Sequence, residues 1–133
     1  MTRVIVCGSR DWTDREIIHR ELGQISDRAV LVHGACETGA DKIAAEEWEG
    51  AGLKVEPHPA SWLIHAPGWC RCGKVKPRVC KGAGPKRNQE MADLGADLCL
   101  AFPLKDSRGT WDMVRRAKKK GIEVKVVQPS KEK

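Results

Sequence analysis

The chain contains 133 residues, carries a formal net charge of +6 and has an isoelectric point near 9.1. This length suits one domain with its own core, which we assign to residues 1–133, and no apolar run approaches the roughly 20 residues of a membrane span. The chain enters a strand at once rather than a signal peptide, so we expect a cytoplasmic protein without a membrane partner. The positive charge favours a phosphate-bearing partner, although the lysine run at residues 118–120 is also typical of a solvated helix face.

Apolar, strand-like segments alternate with helical patterns along the chain. The first strand ends at a Gly-Ser turn, and the helix after it opens on a capping-box pattern at residues 13–16. Predicted strands cover residues 3–7, 30–32, 54–58, 97–102 and 124–127, predicted helices begin near residues 13, 38, 84 and 110, and a polar tail covers residues 129–133. This alternation predicts an α/β fold with a doubly wound parallel sheet of about five strands.

The loop after the second predicted strand has the features of an anion site. Gly34 and Gly39 allow tight turns and close approach of a ligand to the backbone, and a capping-box pattern at residues 38–41 predicts that a helix begins there. The start of that helix offers free N–H groups and a positive dipole end. Ala40 and Asp41 stand where a P-loop has Lys and Ser or Thr, which excludes a P-loop ATPase, and the dinucleotide fingerprint is absent. The alternative interpretation is an ordinary strand-to-helix turn.

Four such stretches follow predicted strands. In a doubly wound sheet, ligands bind beyond the carboxyl ends of the strands, near the point where strand order reverses. Each stretch offers backbone N–H groups, a hydroxyl or a guanidinium, so we predict that one compact anionic ligand contacts them all. The candidate ligand-binding residues are Gly8, Ser9, Arg10, Gly34, Ala35, Gly39, Ala40, Asp41, Arg87, Asn88, Gly109 and Thr110.

The same stretches, in the same order, resemble a known family. They are Gly-Ser-Arg-Asp-Trp at 8–12, His-Gly-Ala at 33–35, Gly-Ala-Asp at 39–41, Pro-Ala-Ser-Trp at 59–62, Ala-Gly-Pro-Lys-Arg-Asn at 83–88 with Met91, and Gly109-Thr110. They resemble the YspA-like, YpsA-related branch of the SLOG superfamily, whose relatives include the Lonely Guy phosphoribohydrolases and the Smf/DprA DNA-processing proteins. The resemblance covers nearly the whole chain except roughly residues 63–82. It implies a Rossmann-like fold and a site for a nucleotide or nucleotide-derived ligand.

The Lonely Guy pattern suggests catalytic candidates. Those enzymes cleave an N-glycosidic bond and carry a helix arginine followed by P-G-G-x-G-T-x-x-E. Arg87 resembles the arginine, but Met113 stands at the position of the glutamate, and Asp112 lies one residue early. Glycosidic cleavage requires a carboxylate, so Arg87 and Asp112 are the catalytic candidates, with Asp41 or Asp11 as substitutes. The alternative roles are a helix cap for Asp41, a first-turn acid for Asp112 and a solvated helix arginine for Arg87, although a guanidinium suits bidentate phosphate binding.

Two tryptophans can line such a pocket. Trp12 and Trp62 follow the first and third predicted strands, and each can either stack on a base or pack against a helix.

Three cysteines outside residues 63–82 lie in or beside apolar strands and are typical of small core residues. These are Cys7, Cys36 and Cys99.

Residues 63–82 predict a metal-binding insertion. His65, Cys70, Cys72 and Cys80 supply one imidazole and three thiols, the ligand set of a closed tetrahedral zinc site, with His58 as an alternative fourth ligand. A structural Zn²⁺ explains how a segment with few apolar residues becomes ordered. The alternatives are free thiols or a disulfide, which a reducing compartment disfavours. Basic residues around these ligands make this the most positive part of the chain and suit a lid over the site or a nucleic-acid contact; they are Arg71, Lys74, Lys76, Arg78, Lys81 and Lys86.

Three functions follow from these patterns. The first is a sensor or sequestering module for a nucleotide-type small molecule, because the phosphate-type loops are present and the glutamate is not. The second is a nucleoside-phosphate N-glycosidase, and the third is a nucleic-acid-binding protein of the Smf/DprA kind. We expect no redox cofactor, and a homo-oligomer is compatible with the sequence.

Overall fold

The computed structural model describes residues 2–65, 67–74, 76–105 and 107–129, so positions 130–133 of the predicted polar tail lie outside the described residues. Strands and helices alternate throughout. The elements are β1 (Arg3–Gly8), α1 (Arg15–Leu22), β2 (Val30–His33), α2 (Ala40–Gly50), β3 (Val55–Pro57), α3 (Ala83–Leu94), β4 (Leu98–Phe102), α4 (Arg108–Lys119) and β5 (Glu123–Val126). Among the helices of these residues, none is long and apolar enough to cross a membrane.

The five strands form one parallel sheet in the order β3-β2-β1-β4-β5. Helices cover both faces, which is why the central strands read as unbroken apolar runs. One core joins the sheet to α1 and α2 and contains Trp48 and Phe102. The other joins it to α3 and α4 and contains Met91 and Met113. The predicted doubly wound α/β fold is therefore confirmed.

The strand order reverses at β1. The chain moves from β1 outward to β2 and β3, then returns to place β4 on the other side of β1. The helix after β1 packs on one face of the sheet and the helix after β4 packs on the opposite face. The loops after these neighbouring strands therefore diverge and leave a crevice at the carboxyl edge, where ligands of such sheets bind.

The helix starts differ in detail from the sequence prediction. Asp14 caps α1 by accepting a hydrogen bond from the Ile17 N–H at 3.2 Å, one residue after the predicted Thr13. The capping box predicted at residues 38–41 is wrong, because Gly39 occupies the N-cap without a side-chain hydrogen bond. The Asp41 carboxylate instead accepts a hydrogen bond from the Gly34 N–H at 2.8 Å, which closes the loop before the helix.

The segment between β3 and α3 contains no helix or strand in the residues that the structure describes there. It contains a small cluster in which Cys80 and Ala83 are buried and five partly buried side chains pack around them. Those side chains belong to Ala60, Trp62, Trp69, Cys70 and Cys72. The cysteine-rich insertion therefore has little apolar core of its own.

Candidate functional site

A cavity of about 590 Å³ lies at the crevice between the divergent loops. It is bounded by the loops after β1, β2 and β4, by the first turns of α3 and α4, and by the insertion. Its lining residues are Cys7, Gly8, Ser9, Arg10, Asp11, Cys36, Asp41, Trp62, Lys81, Gly84, Pro85, Arg87, Asn88, Met91, Ser107, Arg108, Gly109, Thr110, Asp112 and Arg115. Stretches far apart in the sequence thus meet at one place, and we call it the switch-point cavity.

Ser9 lines the switch-point cavity and links the loop after β1 to the end of β4 and to the start of α2. Its backbone N–H donates to the Phe102 carbonyl at 3.0 Å, and its carbonyl accepts a hydrogen bond from the Ala40 N–H at 3.0 Å. Its hydroxyl accepts a hydrogen bond from the Asp11 N–H at 3.0 Å and keeps its own proton to donate. The loops after β1 and β4 and the start of α2 are therefore held together by main-chain bonds.

The predicted phosphate loop after β2 reaches the cavity only through Cys36 and, at the helix start, Asp41. Gly34, Ala35, Gly39 and Ala40 are not among its lining residues. The Ala40 N–H already donates to Ser9, so this amide, which the sequence assigned to an anion, is used by the protein itself. Gly39 has φ +84°, and a Cβ on it would lie 2.2 Å from the Ser9 carbonyl oxygen. Its glycine is required for close backbone packing rather than for ligand approach.

The turn that precedes Gly39 is shaped by a buried histidine. Ala35 has φ +56°, a left-handed conformation unusual for alanine. Its N–H donates to His33 Nδ1 at 3.0 Å. Burial is the largest cause that lowers the pKa of His33, which favours the neutral ring that can accept this hydrogen bond. The turn places Gly34 beside the side chains of Asp41 and Arg87.

Arg87 is a buried cation at the start of α3. The residue is 8% exposed, and its Nη1 donates to the carbonyls of Gly34 at 2.6 Å and His58 at 3.2 Å. Its Nε donates to Asn88 Oδ1 at 2.9 Å. For Nη2, no hydrogen bond is present among the described residues. Hydrogen bonds from Nη1 and Nε thus fix the guanidinium in the cavity wall, and its Nη2 can donate to an anion.

Asp41 is a buried carboxyl group in the same wall. It is 5% exposed, and burial raises its pKa to about 6 despite the Gly34 hydrogen bond and the attraction of Arg87 and Arg10. A carboxyl group with a raised pKa in a cleft is a candidate functional group. Because the folded-state pKa lies above the value of about 3.9 in an unfolded chain, the folded protein retains a proton that the unfolded chain releases.

This titration predicts a difference between wild type and Asp41→Asn. The stability that depends on the protonated carboxyl is complete below about pH 4 and is lost as the pH rises through about 6. From pH 4 to 7.5, wild type is expected to lose up to ~3 kcal/mol relative to Asp41→Asn, as a pKa difference of about two units requires. Urea unfolding across this range measures it, with the exposed Asp27→Asn as control. Parallel curves for wild type and Asp41→Asn would contradict the assignment.

Asp112 also lines the cavity, in the first turns of α4. Its Oδ2 accepts hydrogen bonds from Asn88 Nδ2 at 3.0 Å and from Arg116 Nε at 2.8 Å. Burial pushes its pKa up, but these hydrogen bonds outweigh burial and hold the pKa below its usual value. Met113, at the position of the family's glutamate, is fully buried in the core. The carboxylate that faces the cavity is therefore one residue earlier than the sequence pattern expects.

The first turn of α4 contributes Gly109 and Thr110, which the sequence placed at the boundary of the helix. Because α4 begins at Arg108, both lie within its first turn, where backbone N–H groups lack intrahelical partners. The Gly109 carbonyl accepts a hydrogen bond from Asn88 Nδ2 at 3.3 Å, which joins the starts of α3 and α4. The helix start that points at the cavity is thus that of α4 rather than that of α2.

Several lining residues were not predicted. Cys36, Lys81, Ser107, Arg108 and Arg115 line the switch-point cavity. Arg108 directly precedes the Gly109-Thr110 pair, and Arg115 lies on the helix that begins there. Their position relative to this helix start was the signal in the sequence that could have identified them. Lys81 was noted only as part of a basic segment. Among the lining residues that the structure describes, five carry positive charge and three are aspartates, so the lining has a positive excess.

The two candidate tryptophans have different roles. Trp12 is buried in the core, where its ring meets Phe102 edge-on at a centroid distance of 5.3 Å. It is not among the lining residues, so it takes the packing role of the two that the sequence left open. Trp62 lines the cavity, and the Arg10 guanidinium lies 5.1 Å from its ring centroid. This is within the range of a cation–π contact. Trp62 therefore supplies an aromatic surface beside a cationic group.

The insertion brings together the four predicted metal ligands. One ligand atom from each of His65, Cys70, Cys72 and Cys80 lies within 4.8 Å of the others, and His65 Nδ1 is 3.3 Å from Cys70 Sγ. Tetrahedral zinc with bonds of about 2.1–2.3 Å places its ligand atoms about 3.5–3.8 Å apart. The cluster, which we call the thiol cluster, could therefore hold a metal ion. His58 is not part of it, because its Nε2 lies 2.5 Å from the Glu56 carboxylate.

The surroundings of the thiol cluster also suit a metal. His65 Nε2 lies 2.8 Å from the Pro77 carbonyl, which orients the ring with Nδ1 toward the sulfurs. The Lys81 N–H donates to Cys72 Sγ at 3.3 Å. A backbone hydrogen bond from Cys72, followed by the His65 ring, lowers the pKa of the Cys70 thiol to about 6. A thiolate is the form that binds a metal ion.

The fold and the switch-point cavity define a doubly wound α/β protein with a polar, mainly cationic site at the point where strand order reverses. Residues 2–65 match the sequence model of the YspA, cpYpsA-related SLOG family, and a relative of similar length covers nearly the whole chain. The chain belongs to this family, and membership in the family suggests nucleotide-related binding or processing.

That relative is the Gene 61 protein of Mycobacterium phage D29. It is 40% identical over 134 residues, which cover 93% of this chain and 94% of that protein. Among solved structures, the C-terminal domain of a hydrogenase from Pyrococcus furiosus aligns over 94% of this chain and 89% of that chain. The TM-score of 0.43 and the identity of 16% are too low to say more about fold or function.

Proposed function

We propose that the chain binds a nucleotide or nucleotide-derived ligand in the switch-point cavity, as a sensor or sequestering module. The observation that carries the proposal is the meeting of buried Arg87 with the first turn of α4 at one cavity. Guanidinium groups bind phosphate in a bidentate manner, and a helix N-terminus favours an anion. Family membership points to the same class of ligand.

The cavity has the size and chemistry for such a ligand. Its volume of about 590 Å³ falls within the roughly 300–1,000 Å³ of small-molecule sites. Arg87, Arg108 and the Ser9 hydroxyl supply donors for phosphate oxygens. Trp62 and Arg10 supply a surface on which a base can stack. Asp41 and Asp112 are acceptors suited to ribose hydroxyl or base N–H groups.

A ligand panel tests the proposal. Thermal denaturation is measured with AMP, ADP-ribose, NAD and cyclic nucleotides. At least one is expected to raise the midpoint further with each increase in concentration, which corresponds to about 2.7 kcal/mol of added unfolding free energy at a hundredfold excess over Kd. Arg108→Gln should weaken this effect, because Arg108 lines the cavity. Arg28→Gln, an exposed arginine outside the cavity, is the control. The absence of stabilisation by every compound would count against a nucleotide site.

A nucleoside-phosphate N-glycosidase is the second candidate, favoured by the position of Asp112. Its carboxylate faces the cavity and has a lowered pKa, so it is ionised at neutral pH. An ionised carboxylate can stabilise an oxocarbenium-like centre or orient water. Arg87 would then hold the phosphate of the substrate.

Incubation with nucleoside monophosphates tests this candidate. Wild type is expected to release free base, and Asp112→Asn should reduce the rate by about 100-fold or more, in line with the loss of a required carboxylate. Asp93→Asn, an exposed aspartate of α3 outside the cavity, is the matched control. If wild type releases no base while nucleotides still bind, the catalytic candidate fails and the binding proposal stands.

We further propose that the thiol cluster holds a structural Zn²⁺. Three thiols and one imidazole fill all four positions of a tetrahedral ion, so none is left for a substrate. The small buried cluster around Cys80 supports this role, because an ion would replace the missing apolar core. A nucleic-acid partner stays a prediction, to be tested by whether RNA or DNA binding falls steeply with salt.

A further inference from the structure

We propose that a metal ion in the thiol cluster holds one wall of the switch-point cavity, so that Trp62 and Lys81 face the ligand only in the metal-loaded protein. This inference rests on the proposed nucleotide site for its effect on affinity. Its structural part, that the ion orders the wall, stands on the contacts of the insertion alone.

The ligands of the cluster are bonded directly to the wall. The Cys80 N–H donates to the Trp62 carbonyl at 2.7 Å, so a metal-binding residue fixes the backbone of the cavity tryptophan. Lys81 follows Cys80 in the chain, and its N–H donates to Cys72 Sγ at 3.3 Å. Trp62 and Lys81 are thus each hydrogen-bonded directly to a metal-binding cysteine, Trp62 to the backbone of Cys80 and Lys81 to the sulfur of Cys72.

The insertion and Trp62 also pack tightly against the start of α3. A Cβ on Gly82 would lie 2.2 Å from the Trp69 carbonyl oxygen, and a Cβ on Gly84 would lie 3.0 Å from the Trp62 ring. Trp69 itself lies below the Arg116 guanidinium, 5.2 Å from its ring centroid. The insertion therefore rests against both α3 and α4, with no space for a side chain at Gly82 and a tight fit at Gly84.

The described residues of the insertion have little regular structure and little buried apolar surface to hold this arrangement. Its described residues contain no helix or strand, and Leu63, Ile64 and Val79 expose 63%, 63% and 47% of their surface. Such a segment does not bury enough apolar surface to offset the entropy of ordering its backbone. A tetrahedral ion bonded to His65, Cys70, Cys72 and Cys80 would hold these four residues together and fix them against the start of α3.

The test compares the full chain as metal-loaded, chelator-treated and zinc-reloaded protein. Hydrogen exchange of peptides covering residues 60–64 and 80–88 is expected to accelerate at least tenfold without metal and to recover on reloading. Peptides of β1 and α1 are expected to stay unchanged. AMP and ADP-ribose affinity, measured on the same samples, is expected to fall at least tenfold without metal and to recover in parallel.

A second variant separates the wall from overall folding. In metal-loaded protein, Trp62→Ala is expected to keep one equivalent of metal and to weaken AMP and ADP-ribose binding at least tenfold. Trp111→Ala, a partly exposed tryptophan of α4 outside the cavity, is the control. Wild-type affinity in Trp62→Ala overturns the inference, as does unchanged exchange or unchanged affinity after metal removal. If metal-loaded wild type binds neither nucleotide, the binding proposal loses that support while the exchange data still decide whether the ion orders the wall.

Discussion

Cys80→Ser is expected to lose the bound metal ion and to lower the thermal midpoint by more than 10 °C. Cys80 is fully buried at the centre of the small insertion cluster, so its loss removes a metal ligand and leaves a hydroxyl among apolar groups. Structural zinc sites contribute apparent binding free energies of about 10–16 kcal/mol in small peptides. A loss of ~3–5 kcal/mol would produce such a shift in a chain of this size.

Metal analysis by mass spectrometry and calorimetry check this result together. We expect one equivalent of zinc in wild type and none in Cys80→Ser. Since a buried Cys→Ser change also has a cost of its own, His65→Asn is the cleaner variant, because His65 is only partly buried. His19→Asn removes an exposed histidine on α1 and should keep both metal and stability. Full metal content in both ligand variants would remove the thiol cluster as a metal site.

Arg87→Ala is expected to weaken nucleotide binding more than 100-fold and to reduce stability by several kcal/mol. The substitution removes a cavity cation and leaves the carbonyls of Gly34 and His58 without their donor. An unsatisfied buried group costs about 1–3 kcal/mol, and this applies fully to the Gly34 carbonyl and less to the partly buried His58 carbonyl. Asp41 also loses the attraction of Arg87, so its pKa should rise further.

Arg87→Lys distinguishes binding from folding. A lysine preserves the charge but cannot donate through a planar fork to two carbonyls and a phosphate at once. We therefore expect a smaller loss of stability than in Arg87→Ala, together with at least tenfold weaker binding. Urea unfolding and calorimetric titration with AMP or ADP-ribose measure the two effects. Arg20→Ala, an exposed arginine of α1, is the control. Nucleotide affinity equal to wild type in folded Arg87→Lys would remove the phosphate role.

The fold was predictable because its signals are local and repeated. Apolar runs, glycine stops and helix starts recur in alternation, and each constrains its neighbour. The thiol cluster was predictable because four residues with metal chemistry occur within a short segment. By contrast, His58 and His65 could not be separated by sequence, because only the three-dimensional path shows that His58 pairs with Glu56.

The loop after β2 shows where sequence reasoning reached its limit. Its glycines fit an anion site, yet Gly39 packs against the backbone near Ser9 and Asp41 binds the Gly34 N–H. Backbone contacts between distant loops leave no periodic signal. Likewise, the way α4 packs on the sheet places Met113 in the core and leaves Asp112 at the cavity, and no sequence pattern shows this packing.

The main-chain bonds of Ser9 also bear on how such a site can diversify. They join three connections without using the side chains of Arg10, Arg108 or Asp112. Natural variation at those positions can therefore alter which compound is recognised while the supporting scaffold keeps its shape. Homologues that share this arrangement are expected to differ in ligand more readily than in architecture, so a ligand assigned to one of them does not transfer automatically to another.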